Sequence, residues 1–177
     1  MNRNLLFVPA KRKYVRGERP RVECILCAVR QKNPAVERLI LAEDRFVFIT
    51  MNLFPYNPGH LMIVPNRHVV DPRQYKPAEQ RAVEMWSHRL LDVLDEIYQP
   101  SGYNIGYNIG QASGASIDHV HLHIVPRFKN EVGFIDVIGG ARVHVDDPRA
   151  AVELISEALR RKFGRSSTGK RTKGRSA

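Results

Sequence analysis

Long apolar runs are missing from this chain of 177 residues: none approaches the ~20 residues a bilayer-spanning helix needs, so no transmembrane helix and no membrane partner are expected. Residues 1–7 carry too short an apolar stretch for a secretory signal, so a cytoplasmic protein is expected. Cysteine is scarce too. Cys24 and Cys27 are separated by Ile25 and Leu26, and in a cytosolic setting a structural disulfide is not expected. Their spacing leaves open a redox pair, half of a zinc site, or two small core residues, and histidines elsewhere in the chain add weight to the zinc reading. Internal repeats are absent; Gly102-Tyr103-Asn104-Ile105 followed by Gly106-Tyr107-Asn108-Ile109 is too short to count as one.

The central part of the chain also lacks excess positive charge, although the whole carries +10. Residues 1–21 hold seven Lys and Arg against Glu18, and residues 164–177 hold five against none. Residues 22–163 hold 16 basic and 17 acidic side chains. The expected organisation is therefore a basic N-terminal arm (1–21), one domain (22–163) and a basic tail (164–177). The arms could neutralise nucleic-acid phosphates. The tail, rich in Gly, Ser and Thr and without an aromatic residue for base stacking, reads more readily as a solvated segment. A hydrophobic fraction of 43% is ordinary for a soluble domain of this size.

What the chain does have is His119-Val120-His121-Leu122-His123-Ile124-Val125, three histidines alternating with apolar residues. On a strand, alternate side chains share a face, so the apolar residues enter the core and all three imidazoles face one cavity. Imidazole titrates near neutrality and can act as nucleophile, acid, base or ligand. A metal site of three nitrogens and a water-facing polar strip are the competing readings. The loop just before it, Asn108-Ile109-Gly110-Gln111-Ala112-Ser113-Gly114-Ala115-Ser116, offers N–H groups, amides and hydroxyls suited to an anionic oxygen, phosphate above all.

Elsewhere, residues 24–30 read as a short helical turn, 37–43 and 45–51 as a hairpin turning at Glu43-Asp44-Arg45, and 60–64 as an apolar strand that stops at Pro65. Apolar residues recur at helical spacing from Pro77 to Tyr98. Within it, Trp86 reads as packing and His88 as a surface or core residue. Strand 103–109, the loop and the triad strand follow, then a helix from Pro148 to Phe163 capped by Asp146 or Asp147. This non-alternating order predicts an α+β domain whose antiparallel sheet is covered by helices.

The triad, the stretch Asn52-Leu53-Phe54-Pro55-Tyr56-Asn57-Pro58-Gly59-His60-Leu61-Met62-Ile63-Val64-Pro65, and Gly133-Phe134-Ile135-Asp136-Val137-Ile138-Gly139-Gly140-Ala141-Arg142-Val143 together resemble the histidine triad family of nucleotide hydrolases and transferases. The last segment is similar to its bacterial diadenosine tetraphosphate phosphorylase branch, and the triad also suits the hydrolase branch. The resemblance covers roughly residues 22–163 and implies the family's antiparallel sheet under one long helix and a C-terminal helix.

The resemblance further implies cleavage of dinucleoside polyphosphates through a nucleotidyl-histidine intermediate, by phosphorolysis or hydrolysis. His121 would be the nucleophile and His123 the donor to the phosphate or bridging oxygen. Asn108, Gly114 and Ser116 would bind phosphate or assist departure of the leaving group, Asn52 would contact the ribose, and Gln111 is a weaker substrate-binding candidate. Ala115 stands where some members carry Gln or Gly. His60 would orient a triad ring or be a buried histidine satisfied by backbone, and His144 would lie at the surface. A structural zinc would sit on Cys24, Cys27, His68 and His119, with no organic cofactor and with a homodimer as the expected assembly. Three other functions fit parts of the pattern: a nucleoside phosphoramidase, a nucleic-acid-binding module working through the arms, and a metallohydrolase holding one ion on His119, His121 and His123.

Overall fold

Alternation along the central strands decides which residues reach the site. The computed structural model describes residues 20–129, 131 and 147–164. Most of both arms, segment 133–143, His144 and Asp146 lie outside the described residues. Chain order runs α1 (Ile25–Arg30), β1 (Ile40–Glu43), β2 (Val47–Met51), β3 (Leu61–Pro65), α2 (Pro77–Tyr98), β4 (Gly102–Tyr107), β5 (Leu122–Arg127) and α3 (Pro148–Phe163). The strands form one antiparallel sheet in the order β1-β2-β3-β5-β4. This is the α+β sheet with a long and a C-terminal helix expected from the sequence. No helix among the described residues is long and apolar enough to cross a membrane.

Val47, Ile49, Met51, Leu61, Ile63, Leu122 and Ile124 point to one face and pack with Trp86, Leu90, Val93 and Leu94 of α2 and Ile155 and Leu159 of α3. Each such side chain, fully buried, contributes about 1.5–3 kcal/mol. Phe48, Met62 and Val64 point the other way, against Leu26 and Val29 of α1. Because Met62 lies opposite His123 and Ile63 opposite Leu122, the two-residue period puts His123 on the α1 face. The helices thus cover one side, and chemistry has the other.

Several boundaries follow local hydrogen bonds. The Asp44 side chain accepts from the N–H groups of Phe46 (2.7 Å) and Val47 (2.9 Å) and from the Trp86 indole (2.7 Å), so the turn extends to Phe46 and β2 starts two residues later than expected. Trp86 is a packing residue, as expected, and His88 is an exposed helix residue. Asp147 caps α3 by accepting from the Arg149 N–H at 2.9 Å.

Gly59 is the one position in the turn before β3 where no other residue fits easily. Its φ is +73°, and an added Cβ would lie 3.0 Å from side-chain atoms of both Leu94 and Tyr98. Gly59→Ala is expected to lower stability by about 1–3 kcal/mol, read as an earlier urea midpoint. A wild-type midpoint would show that the turn can relax.

Candidate active site and metal centre

The triad is not one strand. β5 begins at Leu122, not at His119, because the Val120 N–H bonds the Val69 carbonyl (2.8 Å) in the loop after β3 rather than the β-ladder. The three rings therefore do not face one cavity, contrary to the sequence expectation. His121 and His123 sit edge to face, with centroids 4.6 Å apart, whereas the neighbouring ring of His119 is that of His68, at 4.8 Å. A single ion held by all three triad rings finds no support in this arrangement.

The partners of each ring fix its tautomer. His121 Nδ1 lies 2.7 Å from the His119 carbonyl, which can only accept; Nδ1 is thus protonated and Nε2 keeps its lone pair. His60 is fully buried, with Nδ1 3.1 Å from the Tyr56 N–H, so this nitrogen accepts and Nε2 carries the hydrogen. That Nε2–H donates to His123 Nδ1 at 3.0 Å, leaving His123 with an Nε2–H that faces the side-chain amide of Asn108, 3.5 Å away. Asn52 completes the relay: its Oδ1 accepts from the Phe54 N–H (3.0 Å), which turns its Nδ2 towards His60 Nδ1 (3.3 Å). Both readings of His60 hold: it is a buried histidine satisfied by backbone at Nδ1, and its Nε2–H orients the His123 ring.

Burial holds the His123 ring down to about 4, with the neighbouring His121 adding to the effect, and pulls the His121 ring below its usual value as well. Both are neutral at pH 7. One ring thus presents a free lone pair and the next an N–H donor.

Both rings line a cavity of about 220 Å³, whose wall includes an apolar patch of Leu26, Val29, Val36 and Met62. Asn52, Asn108, Gly114 and Ser116 line it too, so most of the predicted substrate-contacting residues converge here. Gly114 bends the loop with φ +87°, and its N–H is spent on the Gln111 carbonyl (3.0 Å). Gln111 is exposed and is not among the lining residues. A second, more polar cavity of about 430 Å³ shares Tyr56, His123, Asn108 and Gly114 with the first.

Cys24, Cys27, His68 and His119 meet at a separate point. Their ligand atoms all lie within 4.8 Å of one another and could hold a metal ion. His119 Nδ1 is 3.5 Å from both sulfurs, and His68 Nδ1 is 3.4 Å from Cys27 Sγ. His119 Nε2–H donates to the Pro65 carbonyl at 3.0 Å, which leaves Nδ1 as the ligating nitrogen. Burial pushes the Cys27 thiol up to about 11, so a metal would have to displace its proton. Arg67 steadies the His68 loop by a forked bond to Glu79 (3.0 and 2.8 Å), whose carboxylate also accepts from the Lys76 N–H (2.7 Å) at the start of α2.

The HIT domain family matches residues 31–130, more than half of the chain. The chain belongs to the HIT family. A protein of Mycobacterium tuberculosis named AP-4-A phosphorylase is 37% identical over 108 residues, covering 60% of this chain and 55% of that one. Bis(5'-nucleosyl)-tetraphosphatase [asymmetrical] of Schizosaccharomyces pombe is 31% identical over 88 residues, covering 50% and 48%. This HIT chain thus spans about half the length of these curated relatives. Among solved structures, a Zn-bound histidine triad family protein from Mycobacterium smegmatis superposes with a TM-score of 0.66 at 24% identity, covering 80% of this chain and 96% of that one, which is likeness of fold.

Sequence reasoning missed the cluster that closes the far end of β5. Glu131 accepts from Arg127 through Nε and Nη2, from the Phe128 N–H and from Asn57 Nδ2, and Asn57 also donates to the Pro126 carbonyl at 2.7 Å. The Pro-Arg pair after the triad was its available signal.

Proposed function

We propose that this HIT protein transfers a nucleotidyl group from a dinucleoside polyphosphate by way of a covalent adduct on His121. The observation that carries the reading is the pair of fixed tautomers, a lone pair on His121 Nε2 beside an N–H on His123 Nε2, both lining one cavity with an apolar patch. In the first step His121 Nε2 forms a bond to the α-phosphorus and the bond to the bridging oxygen breaks. The electron pair leaves on the departing polyphosphate, which is a good anion and needs a hydrogen bond from His123 rather than a full proton. The phosphorylated ring keeps its Nδ1–H on the His119 carbonyl, which stabilises the positive charge it gains. An acceptor then displaces His121.

The nucleobase fits the apolar patch of the cavity, Asn52 serves the ribose, and Asn108 and Ser116 donate to the α-phosphate, with Gly114 shaping the loop. The name of the Mycobacterium tuberculosis relative favours inorganic phosphate as acceptor; that of the Schizosaccharomyces pombe relative favours water as a second reading. Incubation with diadenosine tetraphosphate, with and without phosphate, separates them. Phosphorolysis yields ADP and ATP and needs phosphate, asymmetric hydrolysis yields AMP and ATP without it, and no cleavage under either condition would refute the proposed activity.

The metal we propose is zinc. A tetrahedron with usual Zn–S and Zn–N bonds has N···S edges of about 3.5–3.6 Å, and the N···S separations here are 3.4–3.5 Å. Four protein ligands leave no open position, so its contribution would be structural. The homodimer also belongs to this reading: β4 forms the sheet edge with Ile105 exposed, a strand a second copy could extend.

A further inference from the structure

A dinucleoside polyphosphate has two halves, and the site has two cavities. His121 lines the first cavity and not the second, whereas Tyr56, His123, Asn108 and Gly114 line both and form the partition between them. An in-line displacement puts nucleophile and leaving group on opposite sides of the phosphorus. If the nucleotide being transferred occupies the first cavity beside His121, the bridging oxygen lies at the partition, under the His123 donor, and the departing chain heads into the second.

That second cavity has the chemistry to receive it. It is lined by Asn104 and Gly106 of β4 and by Arg127 at the end of β5, besides the residues of the partition. Arg127 is half exposed, and its guanidinium has five N–H donors. Its Nε and Nη2 bond the Glu131 carboxylate and its Nη1 bonds Asn104 Oδ1 at 2.6 Å. Three donors are committed to holding the group in place; the other two make no hydrogen bond among the described residues and can serve an anionic oxygen. Since Asn104 Oδ1 faces Arg127, the Asn104 amide presents its two N–H groups away from it; among the described residues they make no hydrogen bond.

We infer that the cavity beyond His123 is the subsite for the leaving polyphosphate, with Arg127 and Asn104 as its phosphate-binding groups. This rests on the nucleotidyl-transfer reading and adds to it a determinant of leaving-group length. Residues on one side of His123 choose the nucleotide transferred, and those on the other choose what departs.

The test compares two substrates that share the transferred AMP. One is diadenosine tetraphosphate and the other the 4-nitrophenyl ester of AMP, whose leaving group carries no phosphate. The readout is the ratio of their kcat/KM values. Arg127→Met is expected to lower that ratio about tenfold or more, the usual size of a lost charge-assisted hydrogen bond. Arg127→Lys keeps a cation beside Glu131 and is expected to lower the ratio by a smaller factor, and Asn104→Ala, which truncates an exposed side chain, by about threefold. A purely structural defect lowers both kcat/KM values together and leaves the ratio at its wild-type value. An unchanged ratio in folded Arg127→Lys and Asn104→Ala proteins overturns the subsite while leaving nucleotidyl transfer intact. Failure of the wild-type protein to cleave either substrate overturns the nucleotidyl-transfer reading, and the subsite with it.

Discussion

His121→Asn is expected to lower turnover of diadenosine tetraphosphate on the order of a thousandfold or more, equivalent to about 4 kcal/mol of barrier. The substitution removes the nitrogen that attacks phosphorus. It retains an amide that can still donate to the His119 carbonyl, now met by His121 Nδ1 at 2.7 Å, so the backbone before β5 has little reason to move. Nucleotide affinity should change by only a few-fold, because the apolar patch of the cavity and the phosphate-facing loop are untouched. The covalent step can be seen directly: after rapid quenching, the wild-type protein should gain the mass of a nucleotidyl group and the variant should not. His123→Asn, by contrast, removes a donor and keeps the nucleophile, so its adduct should form, but more slowly. Turnover near wild type in His121→Asn would dismiss covalent catalysis at this residue.

The sequence made local features legible and left the assembly of distant ones obscure. The helix from Pro77 to Tyr98 and the one from Pro148 to Phe163 are where periodicity and capping put them, because both signals act within a few residues. The face on which His121 and His123 lie follows from two-residue alternation. What alternation could not show is that the strand starts after His121. That boundary depends on a hydrogen bond between Val120 and Val69, fifty-one positions apart in sequence, and on the pull of Pro65 and the thiols on His119. The same distance dependence left His60 between two readings: its position among apolar residues fits a core histidine equally well, and its orienting role shows through the 3.0 Å bond to His123. Arg127, Glu131 and Asn104 lie outside the segments that carry the family resemblance, and their hydrogen bonds with one another and with Asn57 assemble only when β4, β5 and the turn before β3 are brought together.

Loss of the metal should reach the active site through His119 and through α1, whose Leu26 and Val29 line the cavity. His119 offers Nδ1 to the Cys24, Cys27 and His68 cluster, its Nε2–H to Pro65, and its carbonyl to His121. Protein purified without chelators is expected to carry about one zinc per chain, measured by atomic absorption. Cys24→Ser combined with Cys27→Ser should lose that metal and melt about 10 °C or more lower, because a bound structural zinc contributes its binding free energy to folding and each kcal/mol is worth a few degrees in a domain of this size. Turnover should fall in the same variant by less than in His121→Asn, since the attacking lone pair remains while the carbonyl that orients it and the α1 wall of the cavity are loosened. Chelator-treated wild type should behave like the double variant and recover both melting temperature and rate when zinc is restored, which the double variant cannot do. Native protein without bound zinc would remove the four-ligand assignment; a double variant melting at the wild-type temperature would leave the two cysteines as core residues, and the link from His119 to the nucleophile would then rest on hydrogen bonds alone.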